Sequence, residues 1–445
     1  MKSQKIRIGI VSLGCPKTLV DSEVVLGRLK DSPFEIARPG DESDVVLVNT
    51  CGFIRDAKAE SIDAILKLGD QKKQGRIRAL IVMGCLVQRY AAELEKNFPE
   101  VDAFLGSGNY DRVVRVIRKV IGGQRPKELD QLGYLGTAKE KRVSLTSRFS
   151  RYLKISEGCD HACSFCMIPK LRGRFRSRRI SDVITEARKL ALDGAKEIIL
   201  VGQDITGFGF DYARKLLLPE LLHELESIEE LRWIRLLYAY PHSVNEALIR
   251  QMANSKKICR YLDLPLQHIS DKILKAMRRG FSRGKTIELI KRLRCEIPGL
   301  VLRTGFIVGF PGESEGDFRE LLDFIKHTKF ERAGVFKYSR EEGSPAAKFR
   351  GQVSEKIKER RFHEAMRCQR KVALAVSRRH VGRELEVLIE RRSGTEDGAW
   401  EARSYMDAPE IDTSVIVRSR MILREGTFKT VRITGTRDYD LIAEA

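Results

Sequence analysis

The sequence predicts an α/β protein with an open α/β N-terminal domain, a partial (β/α)6 TIM-like barrel as its core and a small all-β barrel at the C-terminus. Three observations support this prediction. Short runs of Val, Ile and Leu alternate with helical patterns over the first hundred residues, which is typical of buried parallel strands and crossover helices. The same alternation resumes near residue 150. After residue 376 the apolar period changes to two, which indicates antiparallel strands.

The length and composition are those of a multidomain globular protein. The chain has 445 residues, of which 42% are hydrophobic, and a formal net charge of +21. No apolar run is long enough to span a bilayer. The run from Ile6 to Val11 is short and contains Arg7, so it does not resemble a secretory signal. We therefore expect a cytoplasmic protein with no membrane association, whose nine cysteines are reduced thiols, metal ligands or catalytic groups.

Residues 4–122 are predicted to form the N-terminal domain, and three of its apolar runs end at a cysteine. "IRIGIVSLGC" ends at Cys15, "DVVLVNTC" at Cys51 and "ALIVMGC" at Cys85. The carboxyl ends of parallel strands open into one crevice, so the three thiols should lie close together. A single buried cysteine is most often a packing residue, whereas three at equivalent strand ends favour a shared metal centre. Residues 123–144 combine glycines and charges with little periodicity, which predicts a linker.

Residues 145–375 are predicted to form the barrel core. Two of its helices are expected to begin at capping boxes, Ser243 with Glu246 and Ser314 with Asp317. The catalytic groups of such a barrel lie at the C-terminal ends of its strands, where this sequence is polar or rich in glycine. The six strands are expected at 151–155, 196–200, 232–238, 262–266, 301–308 and 333–338.

The segment "GCDHACSFC" at 158–166 contains Cys159, Cys163 and Cys166, one thiolate short of the four that close a zinc site or a cubane cluster. His161 lies between them and is poorly placed to bind the same metal. A ferredoxin pattern needs another cysteine soon after the third, but the next one is Cys259. The remaining interpretation is a 4Fe–4S cluster with three protein ligands and one open iron, because a catalytic metal needs an open position.

This pattern, C-x-x-x-C-x-aromatic-C with Phe165 as the aromatic residue, resembles the signature of radical S-adenosylmethionine enzymes. The resemblance implies that S-adenosylmethionine binds the open iron and is cleaved to methionine and a 5′-deoxyadenosyl radical. "VGQD" at 201–204 and "GFIVGFPGE" at 305–313 resemble cofactor-binding motifs of that family, although either alone could be an ordinary barrel turn. The cofactor contacts implied in this way are Phe165, Gly202, Gln203, Asp204, Gln267 and Phe306.

The order of the cysteine motifs narrows the resemblance. Three cysteines at strand ends, then a radical S-adenosylmethionine core, then a small β module resemble the methylthiotransferases over almost the whole chain. The resemblance implies that Cys15, Cys51 and Cys85 hold a second 4Fe–4S cluster that delivers sulfur. It also implies that 378–445 is a TRAM domain, that a second S-adenosylmethionine supplies the methyl group, and that a flavodoxin or ferredoxin supplies electrons. The cysteines that match neither set, and are expected to be packing or surface thiols, are Cys259, Cys295 and Cys368.

The substrate is predicted from motifs around the cysteines. "SLGCPKTLVDSE" and "VNTCGFI" resemble the branch that modifies the β-carbon of an aspartate of ribosomal protein S12, free or in the small ribosomal subunit. Thr18 departs from the asparagine expected in that branch. Two alternatives stay open at this point. One is a transfer-RNA adenosine methylthiotransferase, and the other is a non-enzymatic iron–sulfur regulator that binds nucleic acid, which would have no need of the "GQD" and "GFIVG" segments.

The distribution of charge supports a protein substrate. Residues 376–445 carry 12 Lys and Arg against 13 Asp and Glu, whereas a TRAM domain that binds RNA should be basic. An acidic strand face containing Glu384, Glu386 and Glu390 is expected to dock the basic ribosomal protein. The basic excess lies elsewhere, with 11 Lys and Arg against 2 Asp and Glu at 141–180 and 9 against 3 at 345–375. These two stretches predict a contact with ribosomal RNA.

Overall fold

The structure, a computed structural model, describes residues 5–38, 40–129, 132–394, 396 and 398–445. It confirms the predicted fold class, with an open parallel sheet, a second parallel sheet curved as a partial barrel and a closed β-barrel. The domain boundary expected at residue 4 lies outside the described residues. Within the described residues, no helix combines the length and the apolar character that a bilayer crossing requires.

The N-terminal domain is a six-stranded parallel sheet in the order β2-β1-β3-β4-β5-β6. Its central strands β3 and β4 are buried along their whole length, as expected for runs of Val, Ile and Leu covered by helices on both faces. The predicted linker adds a short edge strand, β6. The elements are β1 (Arg7–Ser12), α1 (Pro16–Lys30), β2 (Glu35–Ile36), β3 (Val45–Thr50), α2 (Arg55–Lys73), β4 (Ala79–Gly84), α3 (Cys85–Asn97), β5 (Ala103–Gly106), α4 (Val113–Ile121) and β6 (Lys127–Glu128).

The core is a parallel sheet in the order β7-β10-β11-β12-β13-β14, with β7 and β14 at its edges. The small antiparallel pair β8 and β9 follows the first strand. The elements are β7 (Ser150–Lys154), β8 (Ser156–Glu157), α5 (Ile168–Arg172), β9 (Arg176–Ser177), α6 (Ile180–Leu192), β10 (Glu197–Val201), α7 (Phe210–Ala213), α8 (Leu218–Glu226), β11 (Trp233–Leu236), α9 (Glu246–Asn254), β12 (Ile258–Asp263), α10 (Asp271–Ala276), α11 (Arg283–Glu296), β13 (Val301–Val308), α12 (Glu315–Thr328), β14 (Arg332–Lys337) and α13 (Glu355–Ser377).

Two local predictions in the core were wrong. The strand expected at 262–266 is Ile258–Asp263, because Pro265 has no N–H to donate and the chain leaves the sheet before it. Helix α9 is not capped by Ser243, which lies in a 3-10 turn, but by Asn245, whose side chain accepts a hydrogen bond from the Leu248 amide at 2.9 Å. Asn is as effective an N-cap as Ser.

The other expected helix start was confirmed. At the start of α12, Ser314 and Asp317 form the predicted reciprocal capping box. Both residues therefore satisfy amide groups that the first turn of a helix leaves without intrahelical partners.

The C-terminal domain is a closed five-stranded barrel in the order β15-β16-β17-β19-β18. It packs against the N-terminal ends of the core strands through a buried ion cluster. Glu197, the first residue of β10, pairs with Arg403 at 2.5 Å and with Arg235 at 2.7 Å. The barrel therefore covers the end of the core opposite to the predicted catalytic end. Its strands are β15 (Glu384–Arg392), β16 (Ala399–Ser404), β17 (Val415–Arg418), β18 (Phe428–Arg437) and β19 (Asp440–Glu444).

The N-terminal domain sits on the catalytic end of the core. Helix α1 packs against β7, and its Asp21 forms a buried ion pair with Lys154, the last residue of that strand. On the other side, Glu341 in the loop after β14 accepts from Lys58 and Arg89, each at 2.7 Å. The strand ends that carry the two cysteine triplets therefore face each other.

The basic stretch 141–180 contributes less exposed charge than its composition indicates. Four of its cations are buried in ion pairs, with exposed side-chain fractions between 3% and 7%: Arg142, Lys154, Arg172 and Arg178. A buried cation cannot contact a phosphate backbone. Arg142, Lys154 and Arg172 pair with residues of the N-terminal domain and Arg178 pairs within the core, so the prediction of an RNA contact was wrong for these four side chains.

The acidic docking face predicted on β15 was also wrong in part. Glu386 pairs with Arg232 of the core at 2.5 Å, and Glu390 accepts from Arg403 at 3.0 Å. Glu384 is exposed. Two of the three glutamates therefore have partners in this chain and do not form a free surface for a basic protein.

Candidate active site

The first cysteine triplet lies at the carboxyl ends of three neighbouring strands. Cys15 follows β1 and caps α1, Cys51 follows β3, and Cys85 follows β4 as the first residue of α3. The loops touch one another closely. A Cβ atom on Gly14, whose φ is +100°, would lie 3.1 Å from Cys51 Cβ, and one on Gly52 would lie 2.7 Å from the Cys85 carbonyl oxygen. The structure thus brings the three cysteines together, as the strand pattern predicts.

The charges around this triplet act on the thiols in opposite directions. Burial raises the pKa of Cys51 to about 11, and its neighbours Cys85 and Cys15 add to the increase. Burial also opposes ionisation of Cys15, but Lys17 and the Thr18 hydroxyl outweigh it and lower the pKa of that thiol. Metals bind the thiolate form of cysteine. Cations and hydrogen-bond donors near the sulfur atoms stabilise that form and therefore favour a metal centre here.

The second triplet lies in the loop between β8 and α5. Cys159 donates its amide to the Gly173 carbonyl at 3.2 Å, and the amide of Cys166 bonds to the carbonyl of Cys163 at 3.1 Å. Gly158 has a φ of +77°, and a Cβ there would lie 2.1 Å from the Arg174 carbonyl oxygen, so the turn needs glycine. Burial raises the pKa of Cys159 and of Cys166 to about 12 in each case.

The second triplet offers thiols and sulfur-directed donors, the groups that hold an iron–sulfur cluster. Within the described residues, no group of three or more His, Cys, Asp or Glu side chains is close enough to hold one metal ion. The cysteines of a cubane bind different irons and are spaced more widely. Hydrogen bonds to cysteine sulfur, which such clusters use, are already present. Arg279 Nη1 lies 3.5 Å from Cys163 Sγ, and the Ile168 amide lies 3.4 Å from Cys166 Sγ.

The segment after β10 has the features of a ligand cradle. A Cβ on Gly202 would lie 2.4 Å from Ser156 Oγ, so a larger residue would have to displace that hydroxyl. Gln203 donates through Nε2 to Glu157 at 2.6 Å, while its buried Oε1 has no hydrogen-bond partner. Buried amide oxygens are nearly always bonded, so this atom can accept from a polar ligand. Asp204 accepts from the amide and hydroxyl of Thr206 at 2.9 and 2.6 Å, which fixes the loop.

The remaining predicted contacts differ in their availability to a ligand. Phe165 is half-buried and packs beside the cluster that contains Phe310 and Tyr338. Gln267 has a φ of +73° and bridges by backbone to the end of β13. Phe306 is fully buried among core phenylalanines, so its side chain cannot contact a cofactor. Period-two alternation explains this, because Phe306 faces the helices while Gly305 and Ile307 face the inside of the barrel.

Sequence reasoning missed an aromatic stack beside the second triplet. The ring of His161 stacks on Tyr240 with centroids 3.7 Å apart, and its Nε2 lies 2.7 Å from Asp204 Oδ2. Arg279 covers the Tyr240 ring at 4.3 Å. His161 thus supports the cysteine loop from the side. No local pattern could have indicated contacts between residues so far apart in the chain.

A short helix joins the two triplets. Helix α5 begins two residues after Cys166 and ends at Arg172, whose Nε lies 3.2 Å from Cys85 Sγ. Met167, the residue between Cys166 and the helix, packs against Cys85 as well. A helix of five residues spans about 8 Å. The two triplets are therefore separated by about the length of this helix.

Arg172 is also the centre of a buried charge network. Its Nη1 lies 2.7 Å from Asp21 and 3.3 Å from Glu157, and Lys154 pairs with both carboxylates. Glu157 accepts in turn from Gln203. Two cations and two anions balance in this network, as buried charges require. It connects the sulfur of Cys85 to the cradle residue Gln203.

The three unmatched cysteines lie away from both triplets. Cys259 is buried in the core, Cys295 is exposed on α11, and Cys368 is half-buried on α13. These positions agree with packing and surface thiols.

Three family models match the chain. The Radical SAM superfamily matches residues 153–325, the uncharacterized protein family UPF0004 matches 7–106, and the TRAM domain matches 381–445. The first covers the second cysteine triplet and the cradle, and the second covers the first triplet.

Curated relatives match over nearly the full length. Ribosomal protein uS12 methylthiotransferase RimO of Pelotomaculum thermopropionicum is 49% identical over 439 residues, which cover 99% of each chain. The protein of the same name from Geobacter sulfurreducens is 47% identical over 447 residues, which cover 100% of this chain and 99% of that one.

A solved structure shows a similar fold at low identity. The radical S-adenosylmethionine methyltransferase TsrM from Kitasatospora setae superposes with a TM-score of 0.54 at 15% identity. The match covers 89% of this chain and 81% of that chain. At this identity the likeness supports the fold alone.

Proposed function

Because the chain belongs to the family of ribosomal protein uS12 methylthiotransferases, we propose that it inserts a methylthio group at the β-carbon of an aspartate of that ribosomal protein by radical S-adenosylmethionine chemistry. The chain is a radical S-adenosylmethionine enzyme. The alternatives, a transfer-RNA adenosine methylthiotransferase and a nucleic-acid-binding regulator, are not favoured by these relatives.

The observation that carries the proposal is the pair of facing cysteine triplets, joined by α5. When bound, one cluster with S-adenosylmethionine supplies the radical that removes the hydrogen, and the other supplies the sulfur. We assign the first to Cys159, Cys163 and Cys166, and the second to the triplet that includes Cys85. We propose that both sites lie within reach of one substrate carbon, because α5 joins the two triplets.

The other residues bind and orient. We propose that the unpartnered Oε1 of Gln203 accepts a hydrogen bond from S-adenosylmethionine, and that Gly202 lets the cofactor approach the backbone. Phe165, Asp204 and the backbone of Gln267 complete the cofactor site. Asp204 acts mainly by fixing its own loop, since Thr206 and His161 already occupy its oxygens.

The partners follow from the reaction. Radical generation needs an electron, so we propose a flavodoxin or ferredoxin as the donor. A ribosomal protein substrate supports a cytoplasmic location. We assign the contact with ribosomal RNA to the exposed cations of 345–375, such as Lys356 and Arg367, because four of the eleven cations of 141–180 are buried in ion pairs.

The proposed function is tested by anaerobic incubation of reconstituted protein with S-adenosylmethionine, reductant and either ribosomal protein S12 or transfer RNA. Mass spectrometry of both substrates should show a methylthio group on the aspartate and none on adenosine. Modification of adenosine with an untouched aspartate would overturn the proposal.

The assignment of two clusters predicts the iron content. Wild-type protein should bind about eight irons per chain, the sum for two cubanes. Replacement of Cys159, Cys163 and Cys166 by alanine should leave about four, because the other triplet is a separate site. Cys295→Ala, which changes an exposed thiol, is the control and should keep the full content. An iron-free triple variant would show that the first triplet forms no site of its own.

A further inference from the structure

Arg279 is a buried arginine whose guanidinium lies beside the second triplet. Only 7% of the residue is exposed, and its Nη1 lies 3.5 Å from the sulfur of Cys163. Other buried arginines, such as Arg235 and Arg403, pair with carboxylates. Among the residues that the structure describes, no carboxylate forms an ion pair with Arg279. A buried cation needs an anion beside it, and the Cys163 thiolate is the anion that this guanidinium contacts.

The other contacts of Arg279 fix its guanidinium in one position. Nη2 donates to the Pro265 carbonyl at 2.7 Å, and Cζ lies 4.3 Å from the centre of the Tyr240 ring. The Tyr240 hydroxyl donates in turn to the Arg279 carbonyl at 2.6 Å, and the Arg279 amide donates to the Leu274 carbonyl at 3.0 Å. All of these partners are neutral. They therefore hold the positive charge at the cysteine loop without cancelling it.

The charge of Arg279 also acts on a second thiol of the triplet. Burial raises the pKa of Cys166 to about 12, and a hydrogen bond from the Ile168 amide and the charge of Arg279 both oppose this increase. A cation that favours the ionised form of a thiol also favours further negative charge on a cluster that the thiols bind. Reduction adds one electron to such a cluster, so the reduced form carries more negative charge than the oxidised form. Nearby charge and hydrogen bonds to sulfur therefore change its reduction potential.

We propose that Arg279 raises the reduction potential of the cluster at the second triplet and so determines how completely an electron donor can reduce it. This inference rests on the proposed function, which assigns the radical-generating cluster to Cys159, Cys163 and Cys166. One electron is transferred: the donor loses it, the cluster gains it, and S-adenosylmethionine accepts it as its carbon–sulfur bond breaks. Arg279 acts through the sulfur of Cys163 and is a positioning residue, because it takes no part in the bond that breaks.

The test is a redox titration of reconstituted full-length protein, followed by electron paramagnetic resonance. Cys15, Cys51 and Cys85 are each replaced by alanine, so that the signal comes from the second triplet alone. In this protein Arg279→Met should make the reduced state about tenfold less favourable, near the lower end of what a hydrogen bond to a charged group contributes. For a one-electron couple, a tenfold change corresponds to a potential about 59 mV lower.

Three further variants separate the charge of Arg279 from its other contacts. Arg279→Lys keeps the charge and should stay close to the wild-type potential. Arg279→Gln removes the charge but keeps a donor for the Pro265 carbonyl, and its potential should fall as in Arg279→Met. Arg278→Met removes the charge of the neighbouring, exposed arginine, which solvent screens, and should leave the potential unchanged. Iron content is measured for each variant, so that only proteins that hold the cluster are compared.

The sign of the shift distinguishes this role from a structural one. If Arg279 only supported the cysteine loop, its loss would expose the cluster to water, which stabilises the more highly charged reduced form and raises the potential. An unchanged or higher potential in the two uncharged, iron-loaded variants would therefore overturn the inference while the proposed function stands. If the second triplet binds no iron even in the otherwise unchanged enzyme, the proposed function fails as well.

Cleavage of S-adenosylmethionine gives a second measurement in the enzyme with both triplets intact. With reduced flavodoxin as the donor, Arg279→Met should release 5′-deoxyadenosine about tenfold more slowly than wild type, because less of the cluster is reduced. With excess titanium(III) citrate, a stronger reductant, its rate should approach that of wild type. An equal defect with both reductants would show that Arg279 does not act through the potential, and would overturn the inference.

Discussion

Replacing Cys51 by alanine is expected to abolish methylthiolated product while reductive cleavage of S-adenosylmethionine continues. Cys51 belongs to the first triplet, and its buried thiol lies near the thiols of Cys15 and Cys85. The cradle at Gly202 and Gln203 belongs to the other site. Loss of one ligand should therefore empty the sulfur-delivering site and leave the radical-generating site intact. Product is measured by mass spectrometry of the ribosomal protein, and cleavage by the amount of 5′-deoxyadenosine released.

The matched control is Cys259→Ala, which removes a buried thiol from neither triplet. It should keep both activities, so a general effect of cysteine loss can be recognised. If folded Cys51→Ala loses cleavage although spectroscopy shows an intact radical-generating cluster, the division of labour between the triplets is wrong. Product formation at the wild-type rate would exclude Cys51 as a ligand.

The sequence predicts where the six cysteines of the two triplets lie, because each follows a local pattern. A run of apolar residues that ends in a cysteine indicates a strand end, and parallel strand ends must meet at one edge of a sheet. Cys15, Cys51 and Cys85 are therefore placed correctly without any knowledge of long-range contacts. Side chains alternate between the two faces of the strand "VLRTGFIV", and this alternation indicates that Phe306 lies in the core, on the same face as Thr304.

The ion network could not be predicted, because its members are far apart in sequence. Asp21 meets Lys154 and Arg172 across 133 and 151 residues. A charge count assumes that these cations are solvated, although their ion pairs bury them. A charge count gives net charge, but it does not distinguish a buried partner from a solvated side chain. For the same reason the charge count did not reveal that Glu386, on the acidic face expected on β15, pairs with Arg232.

Arg172→Gln is expected to reduce occupancy of the first triplet and to lower product formation about 10–100-fold, the usual effect of losing a group that supports metal ligands. The guanidinium donates to Cys85 Sγ at 3.2 Å and neutralises Asp21 and Glu157. Without it the two carboxylates share Lys154 alone, and breaking a buried ion pair costs about 3–5 kcal/mol. The thermal midpoint should fall with the iron content.

Charge and geometry can be separated at this position. Arg172→Lys restores a cation for Asp21 and Glu157 but lacks the planar fork that reaches Cys85 at the same time. It should recover most of the thermal stability while iron content and product stay low. Arg174→Gln, an exposed arginine two residues further along, is the control and should behave as wild type. Because Glu157 keeps its bonds to Lys154 and to the cradle residue Gln203 in these variants, cleavage of S-adenosylmethionine should persist in all three. Full iron content and full product in Arg172→Gln would show that the bond to Cys85 has no role in holding the sulfur-delivering site.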